Sequence, residues 1–251
     1  MSAPPAILTG WLGGLRVPGK PDELEAKELL SRYGIAVPAA RRLEPADPPE
    51  PAPPSASGLW VLKVCSAEIL HKTEAGGVRV NLDRAAVPAA AAALRRRFAG
   101  VDLLLEEQVR HAGPELILGA LTDPALGPAV MVGAGGVLTE LYRDVSFRLA
   151  PCPAAECRRM LGELTISPIL QGYRGILMDP EALAEALARI GRLAVDLGPA
   201  FRQLDLNPVV YAEAGWVALD ARIVLDPGCI SDSGTLARRG RGRPRRALGG
   251  P

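Results

Sequence analysis

The residue pattern predicts an α+β fold. Three observations carry that expectation. Apolar runs of strand length recur between residues 59 and 132, and two segments, Pro21–Gly34 and Asp179–Gly198, repeat apolar residues at helical spacing. Near the other end, residues 201–226 place two strand-like runs around a tight turn. With 251 residues, 48% of them hydrophobic, the chain has material for a sizeable core.

Taken in order, residues 1–19 form an N-terminal arm without the basic start and apolar run of a leader. No later stretch approaches the roughly 18 apolar residues that span a bilayer, so a cytoplasmic chain without membrane contact is expected. In PDELEAKELLSRYG, Asp22 is placed to cap a short amphipathic helix, Glu25 lies three residues on, Leu24, Leu29, Leu30 and Tyr33 form the apolar set, and Gly34 closes it. Residues 44–58 carry too many prolines for a continuous helix or strand and read as a surface linker. Leu59–Val64 and Val78–Leu82 then read as a strand and its return, followed by an alanine-rich helix from Val87 to Phe98. Asp102–Glu107 and Glu115–Leu121 read as adjacent strands joined by a bend at Arg110–Pro114, and a further strand is expected near Ala129–Val132 ahead of a glycine-rich segment, GAGGVLTELYRD. The longest helix has Asp179 as cap, Pro180 in its first turn, Leu183, Leu187, Ile190 and Ala194 on one face, and Gly198 past its end. A hairpin turning at Ala212–Gly215 follows, and residues 228–251 read as a disordered basic tail.

Charge excludes several classes of partner. The 29 basic and 28 acidic residues nearly cancel, so no global field points to nucleic acid or a membrane surface. The arginines of the tail come without interleaved aromatics, and nucleic acid is not the expected partner. Cys65, Cys152, Cys157 and Cys229 form no CxxC pair and read as buried thiols.

Three constellations carry chemistry. In LKVCSAEILHKTEAGGVRVNL, a strand bearing Lys63 runs into a loop with His71, Lys72 and the pair Gly76-Gly77, and then into another strand. Glycines let backbone amides approach phosphate, and a strand lysine adds a point charge, although an ordinary hairpin with a solvated His-Lys pair has the same pattern. In LDLNPVV and ALDARIVL, Asp205 and Asn207 alternate onto one face of a strand and Asp220 stands on the return strand. Hard oxygen donors of this kind hold magnesium together with nucleotide phosphates, and an exposed polar hairpin face is the alternative. In LLLEEQVRHAGPELILGA, Glu107 leaves one strand and Glu115 enters the next, where a carboxylate meets either a nucleotide or solvent.

Together with EAKELLSRYGIAVP, GPAVMVGAGGVLTELYRDVSFRLAP and LQGYRG, these segments resemble, in family order, the ATP-grasp domain of ADP-forming acetyl-CoA and acyl-CoA synthetases, relatives of the succinyl-CoA synthetase beta subunit. The resemblance covers residues 20–227. It implies an ATP-grasp fold of two subdomains, about 20–125 covering the nucleotide and about 126–227 carrying the metal hairpin, with the nucleotide in the cleft between them. It further implies that Lys63 meets phosphates, with Gly76 and Gly77 in the phosphate-covering loop. Glu107, Gln108 and Val109 would form the adenine and ribose hinge, Glu115 a further nucleotide-site acid, and Asn207 and Asp220 the Mg2+ ligands. Asp205 would face an incoming phosphohistidine, and His71 would take part in phosphate relay. The implied activity is acid-CoA ligation with ATP/ADP and Mg2+, in a hetero-oligomer with a CoA-binding alpha-type subunit that carries the phosphohistidine. No GxGxxG follows a strand, so a CoA-binding Rossmann unit is not expected in this chain.

Two other readings stand beside it. The proline-rich 44–58 replaces a helix that relatives carry, which fits a degenerate or regulatory nucleotide-binding module without turnover. An ATP-grasp ligase whose acyl phosphate is attacked by an amine is the second, and HKTEAGG with LDLNP favours the CoA branch over it.

Overall fold

The computed structural model describes residues 6–48, 50–69, 71–135, 144–172, 177–230 and 236. The glycine-rich run beyond Gly135, the YRG of LQGYRG and nearly all of the tail expected to be disordered lie outside the described residues.

The arm at the start is helical: α1 spans Ala6–Gly13. It buries Leu8, Trp11 and Leu12 in the larger of two cores, and the Trp11 indole N–H donates to the Glu25 carbonyl at 2.8 Å. Helix α2 spans Glu23–Arg32 and starts with the capping box read from the sequence. The Glu25 amide donates to Asp22 Oδ1 at 3.1 Å, and the Asp22 amide to Glu25 Oε2 at 2.8 Å. Asp22 also pairs with Arg42 Nη2 at 2.7 Å. Asp22→Ala therefore removes a cap and an ion pair, and a loss of about 1 kcal/mol or more is expected in urea unfolding. The helix is not amphipathic in the simple sense expected, because Glu23, Glu25 and Lys27 are buried along with Ala26, Leu29 and Leu30. It lies between elements of both cores, so its charged positions face protein.

The smaller core belongs to a four-stranded antiparallel sheet of β1 (Ala40–Leu43), β2 (Trp60–Cys65), β3 (Val78–Leu82) and β4 (Asp102–Glu107), in the order β1-β4-β2-β3. Helix α3 (Val87–Arg97) covers it, with Val87, Ala91 and Leu94 packed against Leu62, Val64, Leu103 and Leu105. Residues 44–58 hold no helix or strand among the described positions, as the prolines predict, yet Ala52 is fully buried in this core.

The larger sheet contains β5 (His111–Asp123), β6 (Gly127–Ala134), β7 (Val145–Leu149), β8 (Phe201–Ala212), β9 (Gly215–Ala218) and β10 (Arg222–Leu225), in the order β10-β8-β5-β6-β7, with β9 also on β8. Helices α4 (Ala154–Glu163), α5 (Ser167–Leu170) and α6 (Pro180–Leu197) complete the body. Helix α6 begins as read: the Ala182 amide donates to Asp179 Oδ1 at 2.9 Å, and Leu183, Leu187, Ile190 and Ala194 are buried.

Two expectations are corrected here. Asp102–Glu107 and Glu115–Leu121 are not neighbours, because β4 lies in the small sheet and β5 in the large one. The supposed bend at Arg110–Pro114 is mostly the start of β5, whose pairing to β8 slips between Ala112 and Leu116, and the chain crosses between sheets at 108–110. Proline at 114 lacks the N–H that a regular ladder requires, so the strand accommodates it in an irregularity rather than ending. The cores divide the described residues accordingly: buried residues between 43 and 105 supply the small one, while buried residues of 8–35 and 116–225 supply the large one. The expected boundary near 125 thus falls between β5 and β6 of a single sheet.

Asp220 is likewise not on a return strand. It sits in the break at 219–221 between β9 and β10, both of which pair with β8. The Leu219 amide donates to Pro208 O at 2.9 Å and holds the break against the strand carrying Asp205 and Asn207. Among the described residues, no helix is long and apolar enough to cross a membrane.

Candidate active site

A cleft of about 640 Å³ opens between the loop after β2 and the edge of the large sheet. His71, Lys72, Asp205, Asn207 and Asp220 line it, with Glu23 at the start of α2, Lys20 and Arg222. Strand alternation puts Asp205 and Asn207 on the same side of β8, and Arg222 pairs in register with Asp205. Burial, reinforced by the nearby charge of Asp220 and opposed by Arg222, raises the pKa of Asp205. Two carboxylates and an amide oxygen thus share one polar wall. Among the described residues, no three His, Cys, Asp or Glu side chains gather as a self-sufficient metal centre. A cation held here would need further oxygen ligands from a bound molecule.

His71 projects from its loop with 77% of its side chain exposed, 3.9 Å from Glu74 Oε1. That loop is closed by its own backbone: the amides of Ala75, Gly76 and Gly77 donate to the carbonyls of His71, Thr73 and Lys72. The Gly76 and Gly77 amides therefore face their own turn, in contrast to the expectation that they face phosphate. Gly76 has φ +69, and a Cβ on Gly77 would stand 2.6 Å from Val64 Cγ2, so both glycines are required by the tightness of the turn that carries His71 and Lys72.

Beneath the cleft lies a buried charge network of which the sequence had pointed only to Lys63 and Lys72. Glu23 Oε1 accepts from Lys27 Nζ and from Lys63 Nζ, each at 2.7 Å, and Glu23 Oε2 accepts from Lys72 Nζ. Glu106 bridges the same two lysines, Oε1 to Lys27 and Oε2 to Lys63, the latter at 2.7 Å. The Leu219 carbonyl accepts from Lys27 and Lys63 at 2.7 Å each. Burial works against a charged Glu23, but Lys63, Lys27 and Lys72 outweigh it and hold its pKa far below the carboxylate range. Burial likewise opposes the charge on Lys63, and Glu23, Glu106 and Asp220 reverse that and raise its pKa. The network joins α2 and the β9–β10 break of the large body to β2, β4 and the His71 loop of the small one.

The remaining expected residues lie away from the cleft lining. The Glu107 carboxylate accepts from the Ser57 amide at 3.0 Å, and the Gln108 side chain exchanges hydrogen bonds with Asn81 at 2.6 and 2.7 Å. Val109 is half-buried at the crossing between sheets, and Glu115 is exposed on β5. A signal for Glu23 and Lys27 was present: they stand four apart, and Glu23 is in phase with Ala26 and Leu30 on a face that proves buried.

A family model described as an ATP-grasp domain matches residues 19–225. The chain is 36% identical over 211 residues to the beta subunit of acetate–CoA ligase [ADP-forming] I of Pyrococcus furiosus, a match covering 81% of this chain and 90% of that subunit. A trans-feruloyl-CoA synthase from an unknown prokaryote is 38% identical over 221 residues, covering 84% of this chain but 31% of the synthase. Among solved structures, the dinucleotide-forming acetyl-coenzyme A synthetase 1 of Ca. Korarchaeum cryptofilum superposes with a TM-score of 0.64 at 38% identity, over 81% of this chain and 92% of that one. It was solved with coenzyme A and Mg-AMPPCP, its phosphohistidine segment pointing towards the nucleotide binding site.

Proposed function

Because the chain belongs to the ATP-grasp domain family, we propose that it is the nucleotide-binding, beta-type half of an ADP-forming acid-CoA ligase. Its task is to pass a phosphoryl group between ADP and a phosphohistidine brought by a CoA-binding alpha-type unit. One observation carries this reading: His71, Asp205, Asn207 and Asp220, far apart in sequence, line a single cleft between the two sheets.

In the ATP-forming direction a β-phosphate oxygen of ADP attacks phosphorus, and the imidazole nitrogen of the phosphohistidine leaves. Such a transfer asks the protein chiefly for alignment and charge neutralisation. Asn207 and Asp220 fit as Mg2+ ligands because the wall offers hard oxygens and leaves positions for phosphate; the ion would draw charge from the transferring phosphoryl group. Asp205, whose pKa is raised, faces the side from which the imidazole arrives and accepts its N–H, aligning the ring. Glu107, Gln108 and Val109 supply the edge that meets the base and ribose where the chain crosses between sheets, and Glu115 lies just beyond it. His71, exposed at the cleft mouth, relays phosphate between the partner's centre and the nucleotide.

The relay is tested by incubating the chain with Mg2+ and γ-labelled ATP, with and without an alpha-type subunit. Acid-labile label on wild type and none on His71→Ala is the expected result. CoA- and acid-dependent ATP consumption with no label on His71 would reduce that residue to a phosphate contact. Absence of both label and turnover would favour the module without turnover.

A further inference from the structure

We propose that Arg222 is a catalytic residue whose guanidinium holds the phosphoryl group in transit between the phosphohistidine and the nucleotide, beside Asp205. This rests on the phosphoryl-transfer reading of the cleft. Strand β10 alternates, so that buried Ile223 and Leu225 anchor it in the large core while Arg222 and Val224 fall on the other face. Arg222 is exposed there and lines the cleft. It stands in register with Asp205, which puts the two side chains on one face with their Cβ atoms about 5 Å apart. It also follows Asp220 by two residues, where the break ends and the strand begins.

Such a register favours an ion pair between Arg222 and Asp205, and none is formed. Among the described residues, the Arg222 guanidinium has neither an ion pair nor a hydrogen bond. Asp226, the acid that follows β10, is taken by Arg202. A planar fork of five donors, carried on an anchored strand and left unmatched, suits the oxygens of a phosphoryl group, which it meets two at a time. The charges of the wall call for such a cation. Burial and the charge of Asp220 raise the pKa of Asp205, and Arg222 opposes them. An anionic phosphoryl group brought against two carboxylates is repelled unless positive charge meets it there. Mg2+ would offset that repulsion beside the nucleotide, and Arg222 does so beside Asp205. It forms no bond to phosphorus; it neutralises charge that spreads over the equatorial oxygens during transfer. Lys20 is a second cleft cation without a side-chain partner among the described residues. Gly19, with φ +71 and a Cβ position 3.2 Å from Pro227 Cα, seats it against the segment after β10. It lies outside any strand and lacks the fork, and it is the competing candidate.

Orthovanadate, a mimic of the phosphoryl group in flight, is titrated calorimetrically into the full chain saturated with MgADP, and MgADP alone is titrated separately. Arg222→Ala is expected to weaken vanadate by about 10- to 100-fold, the range for a charged hydrogen bond, with MgADP affinity within about twofold of wild type. Arg222→Lys, which keeps the charge but not the fork, should recover part of the loss. The melting temperature of Arg222→Ala should move by less than about 2 °C, because the side chain has no partner to lose. Vanadate affinity in Arg222→Ala within about twofold of wild type would overturn the assignment. A loss confined to Lys20→Ala would move the contact to that lysine. An equal loss of MgADP and vanadate in Arg222→Ala would make the residue a nucleotide ligand and overturn its role in transfer. A wild-type chain that binds MgADP but no vanadate would overturn the proposal while leaving the nucleotide reading in place. A wild-type chain that does not bind MgADP would overturn both.

Discussion

Asp220→Ala is expected to weaken Mg-dependent ADP binding by roughly 10-fold or more, the effect of losing a charged hydrogen-bonding group, about 1.5–3 kcal/mol. Asp220 stands in the break between β9 and β10, its carboxylate accepting from the Ala221 amide at 2.8 Å and facing Lys72 at 3.5 Å. Its loss therefore removes a charge from the cleft without dismantling a strand. Asn207→Ala should act in the same direction with a smaller effect, because an amide oxygen contributes no net charge. Both are read by titrating nucleotide at fixed Mg2+ and again with chelator. Equal affinities for wild type and Asp220→Ala would remove this residue from the metal site. A large loss in the variant that persists after chelation would indicate a direct contact with nucleotide.

The second large effect concerns stability. Lys27 has a side-chain exposure of 1% and is shared by Glu23, Glu106 and the Leu219 carbonyl. Lys27→Met preserves volume but leaves buried Glu106 to Lys63 alone and Glu23 to Lys63 and Lys72. Breaking such a network by removing one partner costs about 3–5 kcal/mol, which for a chain of this length lowers Tm by roughly 10 °C. Because the network spans both bodies, the loss is expected to separate them, and a loss of cooperativity in the melting curve is the signature. A Tm within about 2 °C of wild type would mean that the network contributes no stability. The pH response follows from the same groups. Glu23 titrates lower in the folded chain than in the unfolded one, so its contribution is complete above the ordinary carboxylate range and drains away as pH falls below about 4.5. Lys63 titrates higher when folded, so its contribution is complete below about 10.5 and is lost as pH rises beyond that. Between those limits the two contributions should be flat with pH, and Lys27→Met should flatten the acid limb relative to wild type.

Local signals in the sequence carried much of the fold. The capping box at Asp22 and Glu25, the proline at the start of α6 and the apolar stripe from Leu183 to Ala194 depend on neighbours within one turn, and the structure has each of them. Partnerships across sheets were not legible. Glu107 and Glu115 are eight residues apart and read as flanking a bend, but strand periodicity says nothing about which sheet a strand joins, and β4 and β5 join different ones. In the candidate site, the alternation that joins Asp205 to Asn207 was visible because the two share one strand, and the nearness of Asp220 because the chain returns to that strand within a few residues, although Asp220 itself lies in a break. The Lys27–Glu106 contact bridges 79 residues, and Lys63–Leu219 bridges 156. Nothing in either local pattern distinguishes a lysine that is buried on carboxylates from one that meets solvent or ligand. For the same reason the glycines after His71 were read as phosphate contacts: φ freedom was legible from their type, but the carbonyls that accept from their amides became apparent only when the turn was folded.

The most direct test of the cleft as a Mg-nucleotide site is a calorimetric titration of ATP into the wild-type chain alone, once with Mg2+ and once with chelator. Saturable binding of one nucleotide per chain with Mg2+, falling steeply without it, is the predicted result. Heats no larger than dilution under both conditions would contradict it.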